Sequence, residues 1–242
     1  MSRSEYDILA IGAHPDDVEV GTGGILIKQT DMGSKCGLVV LTHGEMGTGG
    51  TPEIRKQELY DAAKVMGVDV VARFDWGDTR LEDRYEHRLE LARVIRETRP
   101  KMILAPYPQV GHGRRQSHPD HVASGVIALN AANLAALRKI DIPGEPHLVT
   151  RTLHYFLPPG VAPQIVVDIT NEFDRWIQAL SAHKSQFLNP EKSKNYIEHL
   201  TAMSRSFGSQ ARCMYGQGLV PAEPVQVGDL MHLIEGFNGD QG

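Results

Sequence analysis

"YDILAIGAHPDDVEVGTGG", residues 6–24, runs from an apolar stretch straight into a histidine and two adjacent aspartates. The apolar half reads as the first strand of an α/β sheet, because a strand covered on both faces is apolar throughout rather than alternating. In a nucleotide-binding fold the next turn would be glycine-rich and would hold phosphate on bare amides. Carboxylates have the wrong sign for that task. They suit a cation, with His14 and Asp17 as ligands from one turn and Asp16 left for another role. Helix capping by Asp16 or Asp17 beside a surface His14 competes with this reading while the motif stands alone.

Working outward, "CGLVVLT" (36–42), "VVARFDW" (70–76) and "KMILAPY" (101–107) repeat the buried-strand pattern. Between them "PEIRKQELYDAAKVMG" (52–67), "EHRLELARVIRETR" (86–99) and "HPDHVASGVIALNAANLAAL" (118–137) carry apolar residues at helical spacing. Alternation with short links implies parallel strands and right-handed crossovers, a Rossmann-like sheet flanked by helices. Two more strands follow at 151–157 and 164–170, then a helix capped by Thr170 or Asn171, a long helix over 190–216 and a final strand or arm at 225–234. No repeat or linker interrupts the 242 residues, which read as one domain over 1–242. The loops "HPDDVE", "HGEMGTGGT", "GDTRLED" and "PQVGHGRRQSHPDH" all follow strands, so they converge at the carboxyl ends, where such sheets bind ligands. The 44–50 stretch of the second loop reads as a flexible lid, and "GTGG" (21–24) as a close-packing face of the first helix.

Composition excludes several classes. Net charge is −5 with no basic run, against nucleic-acid binding. No apolar run approaches the ~20 residues of a membrane span, and the start lacks a signal-peptide pattern. Two cysteines, Cys36 and Cys213, are too few for a disulfide framework or a thiolate metal site. The expectation is a cytoplasmic protein in a reducing compartment. Histidines near strand ends outside the paired motifs, His154 among them, read as surface residues.

The second motif decides the chemistry. "SHPDH" (117–121) repeats His-Pro-Asp after the fourth strand, with Ser117 placed to cap a helix and His118 and His121 sharing a helix face. His14, Asp17 and one of His118 or His121 make a two-histidine, one-carboxylate set with an open position, the pattern of catalytic zinc, which iron(II) also accepts. Such a metal lowers the pKa of water to roughly 7, but attack on an amide also needs a base and a partner for the departing group. Asp16 can take the proton. The unligated histidine, as imidazolium, can stabilise the oxyanion or protonate the amine, with Asp120 orienting a ring.

"AHPDD" (13–17) with "HPDH" (118–121) resembles the PIG-L (LmbE-like) family of metal-dependent N-acetylglucosaminyl deacetylases. "LTHGEMGTGGTPEIRKQEL", "AAKVMGV", "VVDIT" and "SAHKSQF" are similar to its branch acting on N-acetylglucosaminyl-malate in bacillithiol biosynthesis. The resemblance implies His14, Asp17 and His121 as zinc ligands, Asp16 as base, and His118 as the oxyanion-stabilising acid with Asp120 behind it. It also implies Arg55 in the sugar pocket, Glu19 near the metal loop as a further substrate contact, and a homo-oligomer, commonly a hexamer. Two departures bear on substrate. Ser117 stands where relatives often have arginine, leaving Arg114 or Arg115 to hold a carboxylate-bearing aglycone, and Gln217 stands where relatives tend to have glutamate.

The competing readings are an amidase of a thiol–sugar conjugate, a deacetylase of another N-acetylglucosaminide, and a non-catalytic metal- or sugar-binding protein. Retention of Asp16 and His118 argues against the last, since binding alone needs neither. A metal phosphoesterase is weaker, for want of bridging ligands.

Overall fold

The computed structural model describes residues 5–110, 118–188 and 195–233. Strands β1 (Ile8–Gly12), β2 (Cys36–Val40), β3 (Asp69–Arg73), β4 (Met102–Pro106), β5 (Arg151–Tyr155), β6 (Ile165–Asp168) and β7 (Gly216–Pro221) form one sheet in the order β3-β2-β1-β4-β5-β7-β6. The first five pair in parallel, and β7 lies antiparallel to both β5 and β6. The fold is thus the mostly parallel, helix-flanked α/β architecture that the alternating pattern implies.

The uniform apolarity of β1 has its explanation in the two cores. Ile8 and Ala10 face one layer with Leu26 of α1 (Asp17–Asp31), Leu59 and Met66 of α2 (Pro52–Met66), and Trp176 of α5 (Phe173–Ala182). Leu9 and Ile11 face the other, with Leu91 and Ile95 of α3 (Tyr85–Thr98) and Ile127 of α4 (Pro119–Ala136). Successive strand residues point to opposite faces, so a strand between two helical layers needs an apolar residue at each position.

From β1 the chain winds outward through β2 to β3, then returns to place β4 on the other side of β1. The order of strands therefore reverses between β1 and β4, which is where a sheet of this kind opens a crevice. "HPDD" leaves β1 and "HPDH" follows β4, so both motifs emerge at that reversal.

The close-packing reading of "GTGG" agrees with the structure. A Cβ on Gly21 would lie 2.1 Å from the Tyr155 ring, and one on Gly24 2.6 Å from Ile169 Cδ1.

Four expectations need correction. Residues 190–216 are not one helix: α7 spans Tyr196–Gln210, and Gly216–Pro221 is the strand β7. Of the stretch 225–234, the described residues 225–233 form no strand; Leu230–Leu233 is a 3-10 turn, and the side chains from 225 to 231 are exposed. Glu172 rather than Thr170 or Asn171 occupies the N-cap position of α5, without a side-chain capping bond, and Thr170 is turned to Asp168. His118 caps α4 in the place expected of Ser117, its Nδ1 accepting from the Asp120 N–H at 3.3 Å. Ser117, Arg114 and Arg115 lie outside the described residues.

No helix among the described residues is long and apolar enough to cross a membrane.

Candidate active site

Two helix N-termini build the site. α1 begins at Asp17 directly after β1, and α4 begins at Pro119, a residue whose fixed φ and missing N–H suit a first helical turn. Both helices direct their unpaired N–H ends and positive dipole ends at the crevice, which favours carboxylates there. Thr42 Oγ1 and the Thr42 N–H both hold the Ala13 carbonyl at 2.9 Å, so the end of β2 supports the turn that carries His14.

Asp17 joins the two motifs. Its Oδ2 accepts the His14 main-chain N–H at 2.8 Å and lies 3.4 Å from His14 Nδ1, while its Oδ1 is 3.0 Å from His121 Nε2. The other ring nitrogen of His14, Nε2, lies 3.1 Å from both Asp78 Oδ1 and Asp120 Oδ2. One ring nitrogen each from His14, His118 and His121 also falls within 4.8 Å of the other two.

This donor set fits a divalent cation. Burial opposes a charge on His14, yet the carboxylates of Asp17, Asp120 and Asp78 outweigh it and push the imidazole up to about 12. The cluster therefore draws positive charge to the point where a metal would sit. His14, Asp17 and His121 face one another with Nδ1, carboxylate and Nε2, and His118 is the neighbouring alternative donor.

Asp16 is held in an unusual way. Its backbone has φ 120°, a left-handed conformation that a side-chain-bearing residue adopts at a cost of roughly 1–3 kcal/mol. Arg55 Nη2 reaches its Oδ1 at 3.3 Å. Burial pushes the Asp16 carboxyl up to about 6; Arg55 opposes that rise, and Asp17 adds to it. His118 is shifted the other way: burial, then the charges of His14 and His121, hold its pKa below the usual histidine value. With Nδ1 accepting from the Asp120 N–H, the proton of the neutral ring sits on Nε2. Burial and the neighbouring charges thus disfavour the imidazolium form at His118 and favour the neutral ring.

Three further roles shift. Asp120 does not direct its carboxylate at His118; Oδ2 goes to His14 Nε2 and to the Thr79 N–H at 2.7 Å. Glu19, expected beside the substrate, is fully buried and sits 3.0 Å from His183 Nε2. Arg55 is 4% exposed and spends its terminal nitrogens on the carbonyls of Gly44 and Pro15, both at 2.7 Å, as well as on Asp16. It stands behind Asp16 rather than at the cleft wall. Gln217 is likewise structural, its Oε1 accepting from the Ile25 N–H at 3.0 Å. The 44–50 loop is no free lid: Arg55 holds Gly44, Asp78 accepts from the Met46 N–H at 2.9 Å, and Gln186 holds Gly49.

A cleft of about 450 Å3 opens over the cluster, lined by Asp16, Asp17, Val20, His121, Phe156, Gln186, Phe187 and Tyr196. Phe156 stacks on His121, with ring centroids 4.7 Å apart, and also has a left-handed backbone, φ 57°. Sequence reasoning missed Asp78 and this aromatic wall. The signal for Asp78 lay in "GDTRLED", a loop recognised as convergent without any one residue being singled out.

Residues 9–132 match the family profile described as PIG-L, GlcNAc-PI de-N-acetylase. The diacetylchitobiose deacetylase of Thermococcus kodakarensis is 31% identical over 94% of this chain and 88% of its own length. The probable N-acetyl-alpha-D-glucosaminyl L-malate deacetylase 2 of Bacillus cereus is 32% identical over 75% of this chain and 84% of its own. The crystal structure of the conserved protein TT1542 from Thermus thermophilus superposes with a TM-score of 0.82 at 36% identity, covering 93% of this chain and 98% of that one. A profile match over half the chain, and a relative of this identity along nearly all of it, establish that the chain belongs to the PIG-L family of de-N-acetylases.

Proposed function

We propose that this protein is a zinc-dependent hydrolase that releases acetate from the 2-acetamido group of an N-acetylglucosaminide. The observation that carries the reading is the bridging of His14 and His121 by Asp17, with Asp16 alongside at the cleft. His14, Asp17 and His121 would hold the metal. Bound there, a divalent cation would supply Lewis acidity for the amide carbonyl and for a water near neutral pH.

The protons are the residues' work. Hydrolysis takes one proton from the attacking water and delivers one to the departing nitrogen. Asp16, whose carboxyl is raised to about 6, accepts the first. His118 is neutral and carries its proton on Nε2, so it stabilises negative charge on the carbonyl oxygen as a hydrogen-bond donor. A neutral imidazole is a poor acid for an amine. The proton taken by Asp16 is therefore the one returned to the leaving nitrogen, which closes the balance as acetic acid plus free amine, equivalent near neutral pH to acetate plus the ammonium form.

Two aglycones fit this chemistry. N-acetylglucosaminyl-malate is supported by the likeness to the Bacillus relative and would engage Arg114 or Arg115. A neutral disaccharide is supported by the likeness to the Thermococcus relative along nearly the whole chain. The cleft itself also favours it, since no lysine or arginine is among the described residues that line it. The test is acetate release by metal-stripped, zinc-reloaded enzyme from N-acetylglucosamine, diacetylchitobiose and N-acetylglucosaminyl-malate. Release from none of them overturns the reading. A preference for the malate glycoside that disappears when Arg114 and Arg115 are both alanine assigns the anionic aglycone.

A further inference from the structure

The "SAHKSQF" segment has no part in the chemistry above, yet one of its side chains reaches the cleft. His183 anchors it to Glu19 of α1. Ser185 anchors it to Glu58 of α2, its N–H donating to Oε1 at 2.7 Å and its hydroxyl to Oε2 at 2.6 Å. Since the Ser185 hydroxyl proton is committed to a carboxylate, Ser185 Oγ can only accept from its other neighbour. That neighbour is Gln186 Nε2, at 3.0 Å. The same Nε2 donates to the Gly49 carbonyl at 2.7 Å.

Two acceptors therefore fix the face of the Gln186 amide. Both N–H bonds are used, and the amide cannot turn over without setting its oxygen against the Gly49 carbonyl oxygen. The remaining polar atom, Gln186 Oε1, has no protein partner among the described residues, and it is not among the buried atoms that lack one. Gln186 also lines the cleft. Asp16, Asp17 and His121 are the cleft's metal and base groups and Tyr196 brings a phenol, so the Gln186 carbonyl is a neutral acceptor whose orientation the protein fixes.

We propose that Gln186 is a specificity residue that accepts a hydrogen bond from a hydroxyl of the bound sugar, an inference that rests on the function proposed above. An acceptor with both donors spent rewards O–H or N–H and offers nothing to a carboxylate. It therefore selects a hydroxylated ring over an apolar or anionic group at this wall. Sites built to bond a substrate hydroxyl discriminate strongly against analogues that lack it, because the protein group is then left unpaired.

The test compares Gln186→Met with the unaltered enzyme on N-acetylglucosamine glycosides and on their 3-, 4- and 6-deoxy analogues, measuring kcat and KM for acetate release. One deoxy analogue should lower kcat/KM of the unaltered enzyme by roughly tenfold, mainly through KM. Gln186→Met should lose a similar factor on the parent sugar and be indifferent to that same deoxygenation. The ratio between two substrates does not depend on how much of the variant is folded, so a partly unfolded preparation still reports. Equal losses on every analogue, complete inactivity on all of them, or retained sensitivity to the deoxygenation overturns the assignment. Acetate release by the unaltered enzyme with no such differential removes the Gln186 role and leaves the deacetylase reading standing. Absence of release from any of the sugars removes both.

Discussion

Asp120 Oδ2 lies 3.1 Å from His14 Nε2, so the second His-Pro-Asp motif orients a ring of the first. The contact fixes which nitrogen His14 can offer. With Nε2 facing Asp120 and Asp78, Nδ1 is the nitrogen turned toward Asp17. A carboxylate behind a ligating histidine sets its tautomer and raises its basicity, and removing one typically costs ~10- to 100-fold in metal affinity. Asp120→Asn should therefore weaken zinc binding by a factor in that range, read by competition with a chelator of known affinity. Unchanged affinity would mean that the contact is incidental.

His14→Ala, Asp17→Ala and His121→Ala should each lose bound metal and activity together. His118→Ala should keep its metal and lose turnover. Elemental analysis of the purified variants decides between the two donor arrangements around His14. Full occupancy in His121→Ala with an empty site in His118→Ala would transpose the roles of the two histidines.

Asp16 combines a reactive role with a left-handed backbone, and two substitutions separate them. Asp16→Asn keeps shape but not basicity, and turnover should fall by ~10² or more with metal retained. Asp16→Gly should be equally inactive, yet relief of the strain at φ 120° should stabilise the metal-free protein by about 1 kcal/mol, or ~2–4 °C in Tm. Calorimetric melting checks it; a lower Tm for the glycine variant would show that the Asp16–Arg55 contact outweighs the strain.

Glu19 and His183 are each 0% exposed and face one another in the core. Breaking a buried pair by removing one partner costs about 3–5 kcal/mol, because the other is left uncompensated. Glu19→Ala should accordingly lower Tm by ~10 °C, while the KM of the surviving enzyme stays near that of the unaltered protein. A raised KM with an unchanged Tm would restore Glu19 to the substrate.

Much of this is readable in the residues themselves. β1 to β4 and α2 to α4 follow from apolar runs and helical spacing because both signals are local. The paired motifs announce a cation site for the same reason: sign and donor type are properties of the side chains alone. What escapes a linear reading depends on partners remote in sequence. Gly216–Pro221 carries two glycines and little β-forming character, yet it is a buried strand because β5 and β6 flank it and Val166 and Pro163 leave no room for a larger side chain at Gly216 and Gly218. Arg55 and Glu19 carry charges that belong on a surface or at a ligand by default; only the packed structure shows them spent on Pro15, Gly44 and His183. His154 departs from its surface reading by the same route: it is buried, its Nδ1 3.0 Å from the Pro106 carbonyl.

The reversal of strand order between β1 and β4 also sets a timetable for the chain. Ile8 pairs with Met102 across that seam, a contact between residues nearly a hundred positions apart, and contacts of such separation form late in folding. During synthesis His14 and Asp17 emerge well before His121 exists, so a nascent chain offers a cation two donors on one turn and no more. The third arrives only when β4 has seated beside β1 and α4 has begun to wind from His118. Metal uptake on the ribosome should therefore coincide with emergence of the residues past 121, and a stalled chain ending before β4 should bind zinc no better than an ordinary acidic peptide.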